Sequence, residues 1–199
     1  FDDKDVDTDK AVTVTGNTIT GIDAGNYNLI QQSGLTADIS KADLAVTGLT
    51  ASDKVYDTNI TASLSGTAAI AALGSDSVTI SGTATGVFAD KNADTDKTVT
   101  VTGNTISGAD ADNYNLIQQS GLTADISKAD LAVTGLTASD KVYDAGTAAT
   151  LTGTATITAL TGDTITLGGT ATGSFDDKDV DTDKAVTVTG NTITGIDAG

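Results

Sequence analysis

Residues 77–88 read Ser77-Val78-Thr79-Ile80-Ser81-Gly82-Thr83-Ala84-Thr85-Gly86-Val87-Phe88. In an extended chain Val78, Ile80, Gly82, Ala84, Gly86 and Phe88 share one face, and Thr79, Ser81, Thr83 and Thr85 share the other. A period of two is the mark of a half-buried strand, because successive side chains of a strand point to opposite sides. Residues 97–105 repeat the pattern, with Val99, Val101 and Gly103 opposing Thr98, Thr100 and Thr102. Similar runs lie at 43–48, 61–70, 113–117 and 122–126, and turn-rich clusters such as 74–76 and 89–96 separate them. That spacing predicts an all-β chain.

Composition agrees and excludes much else. The 199 residues include 38 Thr and 22 Gly, with few helix formers other than Ala. All 27 acids are Asp and all 10 bases are Lys, and there is no Cys, His, Arg, Glu, Met, Trp or Pro. Thiolate and imidazole chemistry is therefore absent. Ser and Thr nucleophiles would have only Lys and Asp as bases, so no enzyme and no catalytic residue is expected. A net charge of −17 without Arg opposes binding to nucleic acid or to anionic membranes. The longest uncharged runs, 58–75 and 145–162, are 18 residues each but rich in Thr, Ser and Gly, so no membrane insertion is expected in this segment. Lack of Cys suits a secreted bacterial surface protein that folds without disulfides, and a reduced cytosolic protein would tolerate it as well. Phe1 begins mid-pattern with no leader-like segment, so any secretion signal or anchor is expected outside this stretch.

An internal repeat dominates the chain. Lys54-Val55-Tyr56-Asp57 recurs as Lys141-Val142-Tyr143-Asp144, and Phe1, Phe88 and Phe175 are spaced by the same 87 residues. Residues 26–57 match 113–144 at all 32 positions, whereas 58–87 match 145–174 at 15 of 30. Most of those differences are Ser/Thr, Val/Ile or Ala/Thr exchanges that keep the alternation. A period of 87 is too long for one solenoid coil and suits one β-sandwich per repeat. Residues 35–44, Leu-Thr-Ala-Asp-Ile-Ser-Lys-Ala-Asp-Leu, contain no Gly and are expected to carry the last strand of one domain into the first strand of the next. Boundaries near Ser40 and Ser127 divide the chain into 1–39 (the C-terminal part of a repeat), 40–126 (a complete sandwich) and 127–199 (a repeat lacking its last strand). The fold expected is tandem immunoglobulin-like β-sandwich repeats arranged end to end, each adding about 35–40 Å to a rod.

Several runs carry a family likeness. Lys41-Ala-Asp-Leu-Ala-Val-Thr-Gly-Leu-Thr-Ala-Ser-Asp-Lys-Val-Tyr-Asp57, then Phe88-Ala-Asp-Lys-Asn92, Val99-Thr-Val-Thr-Gly-Asn-Thr-Ile-Ser-Gly108 and Asn113-Tyr-Asn-Leu116, resemble the YDG repeat of large bacterial surface exoproteins of the filamentous haemagglutinin and adhesin type. The likeness covers the entire chain. It implies a cell-surface or secreted repeat that serves as a stalk or matrix fibre, with no known catalytic residues. The chain departs from the pattern in one place: the Gly that follows Tyr-Asp is Thr58 in one copy and Ala145-Gly146 in the other. That puts the turn after the motif in question.

The functional expectation is a non-catalytic stalk or spacer of an extracellular bacterial adhesin, whose partners are neighbouring copies of the same repeat. One alternative is a self-assembling extracellular fibre. Residues 127–199 lack the Asn-Tyr-Asn-Leu strand, while 26–30 hold one without its partners, so an open end could take a strand from another chain. A second alternative is a Ca²⁺-dependent ligand-binding module. No cofactor is expected apart from that Ca²⁺, for which the candidates are Asp5, Asp7, Asp9, Asp94, Asp96, Asp179, Asp181 and Asp183 in Asp-x-Asp spacing. The loop Gly and the bidentate acid of a dedicated Ca²⁺ loop are missing, and a solvated turn that blunts strand edges explains the same residues. Asp110 and Asp112 form a further pair, but Asp112 replaces a Gly of the other copies (Gly25, Gly199), which reads as surface drift. Tyr27, Tyr56, Tyr114 and Tyr143 read as core plugs with their hydroxyls tied to backbone, rather than as a sugar platform. A Lys–Asn or Lys–Asp isopeptide crosslink through Lys54 or Lys141 lacks the Glu that commonly assists it.

Overall fold

A computed structural model of the chain describes residues 1–198. It is all β: the described residues form sixteen strands and two single 3-10 turns, Ala24–Asn26 and Ala111–Asn113, with no α-helix. Two compact units divide the chain. The first takes Phe1–Ala51, Ser63–Gly86 and Thr100–Leu122; the second takes Ser52–Ala62, Val87–Val99 and Thr123–Gly199.

In the first unit Asp7–Val12 pairs antiparallel with Leu35–Ile39, and Thr47–Ala51 pairs antiparallel with Leu64–Ala69. Tyr114–Ile117 pairs parallel with Ala42–Ala45, Tyr114 opposite Ala42 and Ile117 opposite Ala45. A five-stranded sheet runs in the order Lys54–Val55, Leu122–Ser127, Asp94–Ser107, Thr79–Phe88, Thr61–Ala62. The first two of these are parallel, Ile126 opposite Lys54. Thr134–Ala138 pairs with Leu151–Thr156, and Ala148–Ala149, Thr166–Phe175 and Val186–Thr194 form a three-stranded sheet. The pairing follows the repeat: Leu49 faces Gly66, and 87 residues later Leu136 faces Gly153.

Only Ser40 and Lys41 separate Leu35–Ile39 from Ala42–Ala45, so that stretch is nearly continuous strand, as its lack of Gly predicts. Elsewhere the alternation slips. Gly103 takes φ +93°, and a Cβ there would run into the Thr83 carbonyl. Positive φ at a close approach is what glycine supplies inside a bulged strand. Beyond it the buried positions move by one, so Val99 and Val101 are followed inward by Asn104, not by residue 103. Asn104 is 6% exposed, and its polar groups are matched by Gln118. Gln118 Oε1 accepts from Asn104 Nδ2 at 2.9 Å, and its Nε2 donates to the Asn104 carbonyl at 2.8 Å.

Among the described residues, all buried apolar ones lie between Leu44 and Ile126, with Phe88, Val99 and Ile126 the largest fully buried side chains. The same sequence is wetter elsewhere: Val46 is 2% exposed and Val133 38%, Tyr114 4% and Tyr27 72%. For the tyrosines the difference goes with strand pairing: Tyr114–Ile117 lies beside Ala42–Ala45, whereas Tyr27 lies in no strand.

Candidate functional site

Three loops follow Phe1, Phe88 and Phe175, and each places a lysine at Lys4, Lys91 or Lys178. In the first unit Lys4 Nζ donates to Asp76 Oδ1 and to Asp110 Oδ1. Asp76 Oδ2 accepts the Tyr114 hydroxyl at 2.7 Å, and that hydroxyl accepts the Leu73 amide at 2.9 Å. Asp110 Oδ2 accepts the Ser77 amide at 2.8 Å. In the second unit the clasp recurs, shifted by 87. Lys91 Nζ donates to Asp163 Oδ1 at 2.7 Å and Asp197 Oδ1 at 2.9 Å, and Asp197 Oδ2 accepts the Thr164 amide at 3.0 Å. Here the Tyr56 hydroxyl also donates to Asp163 Oδ1 at 2.7 Å, and Lys91 stands 5.6 Å above the Tyr56 ring. The Asp163 side chain is 2% exposed.

The electrostatics are those of charge-assisted hydrogen bonds. Hydrogen bonds to Asp110 and Asp76 hold the Lys4 ammonium well above the ordinary lysine range. Asp163, then Tyr56 and Asp197, do the same for Lys91. Lys4, then the Tyr114 hydroxyl, hold Asp76 below the usual carboxylate range, and Lys4 with the Ser77 amide do so for Asp110. Each clasp ties residues 72 and 106 positions apart, on opposite sides of Ser40 or of Ser127. It ties together loops that are far apart in the chain.

The Lys-Val-Tyr-Asp motif builds a second recurring device, in the second unit. Lys54 Nζ donates to Asp57 Oδ1 at 2.6 Å and to the Asn59 carbonyl at 2.7 Å, and it lies 5.7 Å from the Phe88 ring. Lys141 does the same with Asp144 (2.8 Å), the Gly146 carbonyl (2.7 Å) and the Phe175 ring (5.7 Å). The turn in question after Tyr-Asp keeps its shape: Thr58 and Ala145 adopt φ +70° and +65° where glycine would sit without strain.

The Asp-rich loops are closed by lysine. Lys10 bonds Asp3, Lys97 bonds Asp90 at 2.8 Å and Lys184 bonds Asp177 at 2.7 Å. That lysine, and then a backbone amide two residues on, holds Asp3, Asp90 and Asp177 below the usual range. Among the Ca²⁺ candidates, Asp7, Asp94 and Asp181 each accept the amide of the next residue. Asp9 and Asp96 take φ near +50° and donate their amides to Asp38 and Asp125. Asp5 accepts from Asn113 Nδ2 at 3.0 Å, Asp179 donates its amide to Asp177, and Asp183 takes φ +54°. Among the described residues no three acids stand together as a metal-holding group.

Sequence reading missed the clasp. It paired Asp110 with Asp112 and took both as surface drift, yet Asp110 recurs at Asp23 and Asp197 and is a clasp residue, while Asp112 belongs to a 3-10 turn. Recurrence of one acid at the 87-residue register was the available signal. The tyrosine expectation holds for Tyr114, whose buried hydroxyl meets the Leu73 amide, and fails for Tyr27 and Tyr143, which are exposed. No helix among the described residues is long and apolar enough to cross a membrane.

No curated protein and no solved structure matches this chain significantly. The YDG domain family model matches residues 1–35, 40–122 and 127–199, nearly the whole length, and the chain therefore belongs to the YDG domain family.

Proposed function

We propose that the chain is a structural repeat region, a non-catalytic stalk or spacer of a bacterial cell-surface or secreted adhesin. Its repeats divide at 1–39, 40–126 and 127–199 and stack end to end as immunoglobulin-like β-sandwiches. The observation that carries this reading is the lysine clasp. Lys4 with Asp76 and Asp110, and Lys91 with Asp163 and Asp197, make one joint twice at the repeat spacing. A joint fixed by a lysine shared between two carboxylates resists bending, which a spacer needs and an enzyme does not. Support for a sandwich comes from short, mostly antiparallel strands burying one side, with the apolar core confined to 44–126. The partners are further copies of the repeat, and the place of action is outside the cell.

Small-angle scattering tests the arrangement. A stiff end-to-end rod of this length gives a radius of gyration of about 25 Å, against about 16 Å for a compact globule of 199 residues. A value near the compact figure, with a globular distance distribution, would end the spacer reading.

A further inference from the structure

In the second unit the motif residue Tyr56 is anchored twice. Its amide donates to the Ser127 carbonyl at 2.8 Å, extending the parallel pairing that sets Lys54 opposite Ile126 and Val55 opposite Ser127. Its hydroxyl donates to Asp163 Oδ1 at 2.7 Å, 107 positions away in the chain. The turn that follows leaves Tyr56 little freedom. Lys54 Nζ holds Asp57 Oδ1 at 2.6 Å and the Asn59 carbonyl at 2.7 Å, and Asp57 Oδ1 accepts the Asn59 amide at 3.1 Å. Lys91 Nζ lies 5.6 Å from the centre of the Tyr56 ring, and the same pairing recurs at Lys178 and Tyr143, 5.8 Å apart. The lysine–tyrosine pair is therefore a property of the repeat and is not made by Asp163. Asp163 Oδ1 receives both the phenol hydroxyl and the ammonium. A carboxylate as buried as Asp163 needs such donors, because a charge taken out of water is costly unless it is paired and hydrogen-bonded.

We propose that Tyr56 and Lys91 form a carboxylate socket, that its ligand is the Asp163 and Asp197 pair of the following repeat, and that the Lys-Val-Tyr-Asp turn is the device that positions Tyr56 in it. Lys91 takes one oxygen from each acid, at 2.7 and 2.9 Å, and Tyr56 takes Asp163 alone. Asp197 turns its other oxygen to the Thr164 amide at 3.0 Å, which fixes the loop that carries Asp163. One carboxylate satisfies only part of the socket, so the socket selects a surface that presents two acids together. The aromatic face steadies the ammonium between them. The assignment rests on the spacer reading for its division into repeats. It gives the motif a role that reaches beyond its own turn: Lys54 and Asp57 set the backbone, and Tyr56 carries the connection across Ser127.

Hydrogen exchange on the full 199-residue chain tests the socket. Tyr56→Phe removes one oxygen and should speed exchange of the Asp163 and Thr164 amides about 10-fold. The Asp76 and Ser77 amides of the Lys4 clasp, which Tyr56 does not touch, should keep their rates. Tyr143→Phe makes the same change in the other copy of the motif, at an exposed tyrosine outside both clasps, and should leave all four amides unchanged. Asp57→Ala keeps the hydroxyl but frees the turn, and should speed Asp163 and Thr164 as Tyr56→Phe does. Asp163→Asn should speed Thr164, and adding Tyr56→Phe to it should bring no further loss, as for two partners of one contact. Unchanged rates at Asp163 and Thr164 in Tyr56→Phe overturn the socket. Equal acceleration at Asp76 and Ser77 overturns it as well, because the loss is then global. Asp57→Ala without effect overturns the positioning role of the turn. A compact scattering profile alongside the expected exchange rates would end the spacer reading and leave the contact between Tyr56, Lys91 and the two acids standing.

Discussion

Thr58 and Ala145, 87 residues apart and unlike in side chain, hold the same left-handed backbone at φ +70° and +65°. Asp57 and Asp144 just before them accept the amides of Asn59 and Gly146, and Lys54 and Lys141 clamp the same carboxylates. The turn is therefore imposed by the lysine clamp and tolerated by the residue. Relief of that strain gives the first prediction. Thr58→Gly and Ala145→Gly should each raise stability by about 0.5–1 kcal/mol, the left-handed penalty less the added freedom of glycine. Urea unfolding midpoints measure this, and a fall at both sites would show the strain is not there.

Phe88 and Phe1, at the same register position, should respond differently to truncation. Phe88 is 2% exposed and fills the core, so Phe88→Ala should cost about 3–5 kcal/mol. Phe1 is largely exposed, and Phe1→Ala should change stability by less than about 0.5 kcal/mol. Equal losses in parallel denaturation curves would contradict the burial difference.

Gln118 acts as a substitute strand for buried Asn104. Gln118→Leu keeps the volume but strands the amide and carbonyl of residue 104, at a cost of about 1–3 kcal/mol. Gln31, its half-buried counterpart on the exposed Asn17, should tolerate the same change with little loss. Hydrogen exchange at the residue 104 amide gives the local readout.

The clasps set a pH window. Asp76, Asp110 and Asp197 titrate below their ordinary 3.8, so their contribution is present above that value and is lost as pH falls through the lowered folded values. Lys4 and Lys91 titrate above their ordinary 10.5, so theirs is complete below 10.5 and is lost as pH rises through the raised values. Stability should be level between about pH 5 and 10 and fall below about pH 4. Lys4→Met, which removes the main partner of Asp76 and Asp110, should flatten the acid limb, read as urea midpoint against pH; an unchanged acid limb would remove the clasp from the account.

The strands were legible in the sequence because Val-x-Val and Thr-x-Thr alternation is local, and the 87-residue register showed which strands repeat. The clasp was not legible, because Lys4 meets Asp76 and Asp110 only after the chain folds back across 72 and 106 positions. Nothing near Lys4 distinguishes it from Lys10, which closes its own loop on Asp3. Asn104 was hidden for a different reason: the bulge at Gly103 shifts the pattern by one, and a strict period of two places 103 inward instead. Tyr27 and Tyr114 sit in identical local sequence, so their opposite exposures are set wholly by which strands lie beside them.

Ala42–Ala45 and Tyr114–Ile117 run parallel although 72 positions separate Ala42 from Tyr114. Tension entering before residue 42 and leaving after residue 117 pulls these neighbours past each other lengthwise. The rungs between them are then loaded in shear, all at once, rather than peeled one after another as in a hairpin opened from its tip. Single-molecule extension would register this as one high force peak when the Ala42–Ala45 and Tyr114–Ile117 pair parts.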